Sequence, residues 1–416
     1  MRRTGSACLL AVALTGIAAV ASAADLVFVG ARVVPSPHET PIENAVVLVS
    51  DGRIAAVGRS GEVRIPAGVQ KLDATGRTVV AGFWNSHVHL LEPAYRKDAQ
   101  LPAGQPEATL REQYGRWGFT TIFDLASVPG DAQVLAHRLE SGELRGPRVL
   151  SVGAPFYPLG GTPIYVRALD LGVDVTSAEV PDVEAGRARA MAQLDQGLDG
   201  VKLFTGSIVG GTEGVRLMDA SVARAIAEVA RERGRPVFAH ATDAGGLVVA
   251  LQARVDVLAH ATPEAGPWST PTVSRLVRED VALVPTLAMF EIEIRRGQAP
   301  EGMVRRFVGA AQSQVSMLQA AGGSIVFGTD AGYIDQYDTT RELQLLAGAG
   351  LDWRQILANL TTTPARVFGE AEQRGRIAPG MAADLVVLDS DPARGAEAFA
   401  DVAWTLRGGE VIYRKP

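Results

Sequence analysis

Short apolar runs alternate with amphipathic stretches through the middle of the chain. The amphipathic stretches, such as 220–233 and 303–320, have the spacing of helices. Strand–helix alternation predicts a parallel sheet covered by helices, and eight units over about 280 residues favour an α/β fold of the (β/α)8 TIM barrel type. The predicted strands are 78–83, 120–125, 148–152, 200–204, 236–240, 255–260, 281–285 and 324–330.

An open, doubly wound sheet is the alternative arrangement. That fold would favour a glycine-rich phosphate loop after its first strand, whereas this chain continues with Asn85-Ser86-His87-Val88-His89. Two long connections, 154–181 after the third run and 286–301 after the seventh, would lie on the carboxyl face of a barrel, where such enzymes keep their sites. We therefore expect both connections to be lids or binding loops.

Both ends of the chain predict β structure without helices. Asp51-Gly52 separates two apolar runs and is typical of a tight hairpin turn, and Gly408-Gly409 precedes the last apolar run. Two separate modules remain an alternative, although each would be small for its own core. We predict one small β-sandwich module built from both chain ends, 24–80 and 369–416, around a barrel domain at 81–368.

Residues 1–23 have the pattern of a secretory signal peptide. Arg2 and Arg3 are followed by an apolar segment, 8–20, and Ala21-Ser22-Ala23 is typical of a cleavage site. A membrane anchor is the alternative, but the apolar segment is short for a span of about 20 residues. We expect an exported protein, periplasmic or secreted, with no membrane association after cleavage.

Composition narrows the possible partners. The chain is 47% hydrophobic and 21% charged, which suits a globular protein with a large core and excludes a disordered one. The formal net charge is −6 and no block of Lys and Arg stands out, so we expect a small-molecule substrate and no nucleic acid. Cys8 is the only cysteine, which excludes an internal disulfide. The sequence leaves a homo-oligomer open.

Four of the six histidines fall at the carboxyl ends of predicted strands. His87 and His89 are two residues apart, so strand alternation would place both side chains on one face. His240, His260 and Asp330 each close an apolar strand, where a polar group is costly to bury without a partner. Each alone also fits an ordinary hydrogen-bonded residue. Together they predict a ring of imidazoles and a carboxylate that suits a divalent metal such as zinc.

Lys202 lies inside the apolar run Val201-Lys202-Leu203-Phe204. An unpaired ammonium is expensive in such a place. The side chain could extend to water. Alternatively, its amine could be carboxylated by carbon dioxide, which would give an anion with two oxygens able to bridge two metal ions. The sequence leaves both interpretations open.

Together these motifs resemble the amidohydrolase superfamily of metal-dependent hydrolases. The branch they resemble most contains imidazolonepropionase-like amidohydrolases and prolidase-like Xaa-Xaa dipeptidases. Asn85 and Ala81 depart from the commoner pattern, which has aspartate and proline there, and Ala259 stands where several relatives carry glutamate. The resemblance covers nearly all of the chain beyond the signal segment and is carried by 81–89, 201–204, His240, His260, 328–332, Thr363-Pro364-Ala365-Arg366 and 375–388.

The resemblance implies a binuclear site, with two divalent ions and zinc (Zn²⁺) as the first candidate. His87, His89 and Asp330 would bind one ion. His240 and His260 would bind the second, and Lys202, as N6-carboxylysine, would bridge the two. A metal-bound hydroxide would attack the carbonyl, and Asp330 would act as the proton shuttle to the leaving nitrogen.

The resemblance also implies hydrolysis of a C–N bond, and we expect a dipeptide or an N-acyl amino acid as the substrate. Hydrolysis of a cyclic amide, lactone or phosphoester on the same site is one alternative. A non-catalytic metal-binding protein is an alternative of another class. Tyr157, Tyr165 and Arg167 in the first long connection, and Tyr333, are candidate substrate-binding residues, although loop packing also explains each. We expect Arg167 to hold a free carboxylate by charge-assisted hydrogen bonds.

Overall fold

The computed structural model of the protein describes residues 26–97 and 104–416. The predicted signal segment, 1–23, lies outside the described residues. Within those two ranges, none of the helices combines the length and the apolar character that crossing a membrane requires.

The strands and helices are numbered here in chain order. The strands are β1 (Leu26–Val33), β2 (Ile42–Ser50), β3 (Arg53–Arg59), β4 (Gln70–Asp73), β5 (Thr78–Ala81), β6 (Phe83–Val88), β7 (Phe119–Asp124), β8 (Arg148–Ser151), β9 (Tyr157–Pro158), β10 (Glu179–Val180), β11 (Val201–Phe204), β12 (Gly206–Gly210), β13 (Gly214–Leu217), β14 (Val237–His240), β15 (Val257–Leu258), β16 (Ala282–Leu283), β17 (Leu385–Leu388), β18 (Val402–Arg407) and β19 (Glu410–Arg414). The helices are α1 (Gln105–Gln113), α2 (Asp131–Glu140), α3 (Ile164–Arg167), α4 (Val183–Asp195), α5 (Ala220–Glu232), α6 (Ala244–Ala253), α7 (Thr270–Arg278), α8 (Leu287–Arg296), α9 (Glu301–Ala320), α10 (Thr340–Gly348), α11 (Trp353–Leu360) and α12 (Thr362–Val367).

The two ends of the chain meet in one mixed sheet. Its order is β19-β18-β17-β5-β1-β2-β3, with β4 also paired to β1. Strand β17 runs antiparallel to β5, so that Leu385 lies opposite Ala81. The predicted union of the two ends is therefore confirmed. The strands form a single eight-stranded sheet, where a sandwich was predicted. Strand β1 connects its parts, because β1 hydrogen-bonds to β4 along its first half and to β5 along its second half.

Both predicted hairpin turns form and pack against each other. Asp51 and Gly52 have φ values of 51° and 69°, and Gly408 and Gly409 have values of 55° and 80°. Two successive left-handed residues are the geometry that matches the twist of a two-residue hairpin. A Cβ atom on Gly52 would lie 3.1 Å from the Gly408 carbonyl oxygen, so the two turns need small residues where they meet.

The parallel strands form two sheets, β6-β7-β8 and β11-β14-β15-β16. Helices such as α5 and α9, both predicted, flank them and bury apolar faces in a large common core. A separate apolar cluster lies along the mixed sheet. The architecture is thus α/β, with parallel sheets in the middle of the chain and a mixed sheet from its ends.

Two predicted segments differ from the structure. The apolar run 78–83 was expected to be the first parallel strand, but Thr78–Ala81 belongs to the mixed sheet and the parallel set begins with β6. The run is divided at Gly82, whose amide donates to the Asp384 carbonyl, 2.8 Å away. The connection 286–301 was expected to be a loop, and most of it is helix α8. Its short apolar stretch gave no long helical period to recognise.

Candidate metal centre and substrate cavity

The carboxyl ends of the parallel strands bring the predicted ligands to one place. His87 lies in β6, Lys202 in β11, and His240 at the end of β14. The other three residues follow strands or strand-like segments directly. All six side chains line one cavity of about 580 Å³: His87, His89, Lys202, His240, His260 and Asp330.

Asp330 is at the centre of the cluster. Its Oδ1 atom lies 3.0 Å from Nε2 of His87 and 2.9 Å from Nε2 of His89. Its Oδ2 atom lies 4.0 Å from Nε2 of His260. The ring centroids of His240 and His260 are 4.7 Å apart, so His240 packs against the cluster by its contact with His260.

The donor atoms of this cluster fit a metal ion. Both ring nitrogens of His87, Nε2 of His240 and Oδ1 of Asp330 are buried and make no hydrogen bond of good geometry, although Oδ1 lies close to Nε2 of His87 and of His89. Such orphaned atoms are costly in a folded protein. Ligand atoms of His87, His260 and Asp330 all lie within 4.8 Å of one another. Imidazole nitrogen and carboxylate oxygen are typical zinc ligands, so a divalent cation would satisfy the atoms that the protein leaves unpaired.

Two of the imidazoles are oriented by a second contact. Nδ1 of His89 lies 2.9 Å from the carbonyl oxygen of Ala126. A carbonyl can only accept, so Nδ1 carries a proton, and Nε2 is the ring atom that faces the Asp330 carboxylate. Burial lowers the pKa of His89, but the hydrogen bond to Asp330 and the charge of that carboxylate raise it above its ordinary value. Nδ1 of His260 lies 2.9 Å from Oγ1 of Thr286. Contacts of this kind fix the tautomer and the ring orientation of metal-binding histidines.

Burial sets the charge states that metal binding needs. It lowers the pKa of His87 to about 3 and lowers the pKa of His240 and of His260 well below the ordinary value, so these rings are neutral ligands at neutral pH. Burial alone would raise the pKa of Asp330, but the neighbouring imidazoles, His87 first, hold that pKa well below its usual range. Burial lowers the pKa of Lys202 to about 7, and the neutral amine is the form that reacts with carbon dioxide.

The backbone is strained next to the cluster. Asp330 has a φ of 62° and Thr286 a φ of 46°, both in the left-handed region that non-glycine residues rarely occupy. Gly332 allows the Asp330 segment to approach β6, because a Cβ atom on Gly332 would lie 1.9 Å from the His89 carbonyl oxygen. Strain of this kind is concentrated at functional sites.

Asn85, which departs from the commoner family pattern, ties β6 to the segment that carries Asp330. Its Nδ2 donates to Oγ1 of Thr329 at 2.8 Å. Its Oδ1 accepts from the backbone amides of Thr329 at 3.2 Å and of His87 at 3.3 Å. The side-chain amide therefore supports both His87 and the approach to Asp330 without touching the ligand atoms themselves.

Three of the four candidate substrate residues line the cavity. The ring of Tyr157 packs on Phe204 with centroids 4.7 Å apart, and the rings of Tyr165 and Tyr333 lie 5.1 Å apart. Arg167 is not among the lining residues. It is exposed, and its guanidinium lies 3.7 Å from the Glu179 carboxylate. Its role as a carboxylate anchor stays a prediction, made for a side chain that this structure places outside the cavity.

Helix α8 lies within the connection that was expected to be a lid or binding loop, and it supplies a wall of the cavity. Met289, Phe290, Glu293 and Ile294 line it, and the Tyr333 hydroxyl lies 3.2 Å from Glu293 Oε2. Leu287, Phe290 and Ile294 have helical spacing, but the stretch is too short for that spacing to distinguish a helix from a loop.

Glu342 fixes the amino end of α8. Its side chain is buried, and its two carboxylate oxygens accept from the amides of Leu287 at 3.0 Å and Ala288 at 2.6 Å. These amides have no partner within the helix, and the helix dipole favours a negative charge beside them. Thr286, which contacts His260, immediately precedes them. Glu342 is therefore linked to the metal cluster through the start of α8.

Arg189 on α4 holds the long connection 154–181 in place. Its guanidinium donates to the carbonyls of Ala178 at 2.6 Å, Pro155 at 2.8 Å and Ala154 at 3.3 Å. It also lies 4.3 Å from the centroid of the Phe156 ring. One side chain thus binds both ends of the connection that carries Tyr157 and Tyr165.

Comparison with known proteins identifies the family to which the chain belongs. The family model described as "Amidohydrolase family" matches residues 78–412. The chain belongs to the amidohydrolase family, and it is a hydrolase acting on C–N bonds. The resemblance inferred from the motifs is therefore confirmed.

Individual relatives are named for different activities. The chain is 25% identical to an ochratoxinase of Aspergillus niger, over 89% of this chain and 83% of that protein. It is 23% identical to an imidazolonepropionase of Porphyromonas gingivalis, over 89% of each. The structure of a putative prolidase from Bifidobacterium longum matches with a TM-score of 0.77 and 27% identity, over 94% of this chain and 95% of that one. A Xaa-Pro dipeptidase structure with bound methionine matches with a TM-score of 0.79 at 19% identity, over 94% of this chain and all of that one, and this likeness shows the fold alone.

Proposed function

We propose that the protein is a binuclear metal-dependent hydrolase that cleaves an amide or peptide bond in a small substrate. The observation that carries the proposal is the convergence of four imidazoles, the Asp330 carboxylate and the Lys202 side chain in one cavity. The volume of that cavity, about 580 Å³, is within the usual range for small-molecule sites.

In this proposal His87, His89 and Asp330 hold one divalent ion, and His240 and His260 hold the other. Lys202, carboxylated on its amine, would supply an oxygen ligand to each ion. Bound ions such as Zn²⁺ polarise a substrate carbonyl and lower the pKa of water. The buried position of Lys202 supports carboxylation, because a carbamate paired with two cations is far less costly there than a lone ammonium.

Asp330 is the proton carrier. Its carboxylate is ionised, and its two oxygens face different imidazoles, Oδ1 toward His87 and His89 and Oδ2 toward His260. It can accept a proton from the attacking water and donate it to the nitrogen that leaves, which an amide requires because a free amide anion is a poor leaving group. Tyr165 and Tyr333 flank the space in which the substrate would lie.

We further propose that the parallel strands close into one (β/α)8 barrel and that residues 1–23 direct export. Three isolated parallel bridges support the closure, namely Phe156 with Leu203, Leu283 with Ile325 and Val88 with Ala331. They link the two parallel sheets to each other and to the segment that carries Asp330. The export proposal rests on the sequence pattern alone, and sequencing the amino end of the protein recovered from the periplasm or the medium tests it.

Metal analysis combined with a hydrolysis screen tests the proposed function. We expect about two divalent ions per chain in active protein, loss of activity with a chelator and its return with zinc. The screen covers dipeptides, N-acyl amino acids, uncharged and cyclic amides, lactones and phosphotriesters. His240→Asn should lose metal and activity, whereas His137→Asn, at an exposed position on α2, should keep both. Full activity with a metal content near zero would contradict the proposal. Cleavage of lactones or phosphotriesters, with no cleavage of any amide, would also contradict it.

A further inference from the structure

The cavity above the metal cluster has an apolar wall. Its side chains come from the connection 154–181, from strand β12 and from helix α8. Leu169, Val173 and Ile208 line it and remain 38%, 43% and 37% exposed, so three aliphatic side chains share one concave surface. Exposed apolar surface gathered in one concave place marks a site that binds apolar groups.

The charged side chains that line this wall, apart from the metal cluster, are acidic. Arg96 and Lys97 lie beside the wall and donate to the backbone carbonyls of Leu171 and Pro129. Among the described residues that line the cavity, and apart from the imidazoles of the cluster, Lys202 is the only basic side chain, and it lies among the proposed metal ligands. Asp174, Glu264 and Glu293 line the cavity in addition to Asp330. Arg296 contacts Glu293 at 2.6 Å but does not line the cavity, and Arg167 pairs with Glu179 outside it.

These surroundings are unfavourable for a substrate carboxylate. Away from the proposed metal ions, an anion that leaves water for the apolar wall loses hydration and meets no lining guanidinium to replace it. The carboxylates that line the wall offer it no favourable partner, although Asp174 and Glu264 are exposed and Glu293 is paired with Arg296. Apolar groups on either side of the scissile bond would instead cover the exposed aliphatic side chains.

We infer that the cavity selects uncharged amides with bulky apolar groups on both sides of the scissile bond, and that it discriminates against a free carboxylate beside that bond. The inference rests on the proposed amide hydrolysis and narrows its substrate class. It also departs from the sequence-based expectation of a dipeptide or N-acyl amino acid, which placed Arg167 inside the site.

A matched pair of substrates tests the inference. N-benzoylphenethylamine and N-benzoylphenylalanine each contain one amide bond, release benzoate, and differ only in the carboxylate. We expect kcat/KM to be at least about tenfold higher for the uncharged compound. Equal values, or a preference for the carboxylate, would overturn the inference and leave amide hydrolysis intact. If neither compound is cleaved while other amides are, the inference is overturned. If no amide at all is cleaved, the proposed function is overturned.

Variants at Ile208 separate charge from shape. Ile208→Arg adds a guanidinium to the apolar wall and should shift the preference toward the carboxylate by about tenfold, since a charge-assisted pair would form there. Ile208→Met keeps a long apolar side chain and should leave the preference unchanged. Met191→Arg adds the same charge at an exposed position on α4 outside the cavity and should also leave it unchanged. A shift of equal size in Met191→Arg, or none in Ile208→Arg, would contradict the inference.

Discussion

The Nδ1 atom of His260 lies 2.9 Å from the Oγ1 atom of Thr286. Thr286 holds this position in a left-handed backbone conformation, one residue before helix α8 begins. Glu342 binds the first two amides of that helix. A proposed metal ligand is therefore oriented by a residue whose own conformation depends on a buried carboxylate elsewhere in the fold.

The first prediction concerns the Thr286 hydroxyl. Thr286→Val keeps the shape of the side chain and removes the oxygen, so the His260 ring loses its orienting partner. We expect metal affinity at one of the two sites to fall by about tenfold to a hundredfold, measured as metal retained against a competing chelator. Thr286→Ser restores the hydroxyl and should recover most of the affinity. Retention by Thr286→Val equal to that of the unaltered protein would show that the contact has no such role.

The second prediction concerns Lys202. Lys202→Ala should lose the bridging group and most of the activity, and added short carboxylic acids should restore part of it by supplying two oxygens. Lys202→Arg keeps a cation that cannot be carboxylated, and it should remain inactive with or without those acids. Incubation of the metal-loaded protein with ¹³C-bicarbonate should give a carbamate signal in the NMR spectrum. An unmodified ammonium in a metal-loaded crystal would contradict carboxylation.

The third prediction concerns stability and pH. Burial raises the pKa of Glu342 to about 7 from 4.5. A raised folded-state pKa means that the contribution to stability is fully present below about pH 4.5 and is lost as pH rises through 7. The difference in unfolding free energy between the unaltered protein and Glu342→Gln should therefore fall by about 3 kcal/mol between pH 4.5 and pH 8.

Urea denaturation at several pH values measures this difference. Glu184→Gln removes an exposed carboxylate on α4 and serves as the control, with a difference that stays nearly constant over the same range. A difference for Glu342→Gln that rises with pH would mean that the two helix amides outweigh burial and keep Glu342 ionised.

The fourth prediction concerns the clamp on the connection 154–181. Arg189→Met keeps a long apolar side chain over Phe156 but leaves the carbonyl oxygens of Ala178 and Pro155 without their donor, at a cost of about 1–3 kcal/mol for each buried group. The Ala154 carbonyl keeps its hydrogen bond from Gln193. We expect KM to rise severalfold with a smaller change in kcat, and proteolysis within the connection to accelerate. Arg187 lies on the same helix as Arg189 and pairs at the surface with Glu228 on α5. Arg187→Met should therefore change neither KM nor the rate of proteolysis. Equal effects of the two variants would mean that Arg189 contributes only to the overall stability of the protein.

The cluster of histidines around Asp330 could be predicted because these polar residues stand at the ends of apolar strands. A histidine or aspartate that closes an apolar strand has few explanations, and strand ends in parallel sheets converge at one edge. The division of 78–83 at Gly82 could not be predicted, because both halves are apolar and only the partner strand β17 distinguishes them. The position of Arg167 depends on its pairing with Glu179, a contact that local sequence does not specify. Glu342 accepts hydrogen bonds from amides that are 54 and 55 residues away in the sequence. Nothing in the sequence around it on α10 distinguishes it from an ordinary surface glutamate of a helix.

The pairing of Ala81 with Leu385 also bears on how the chain is made. The two residues are about 300 positions apart, so the mixed sheet cannot be completed until the last strands have left the ribosome. At about 5–20 residues per second, β5 waits roughly 15–60 s for its neighbour. During that interval the edge of β5 that will later face β17 has no neighbouring strand.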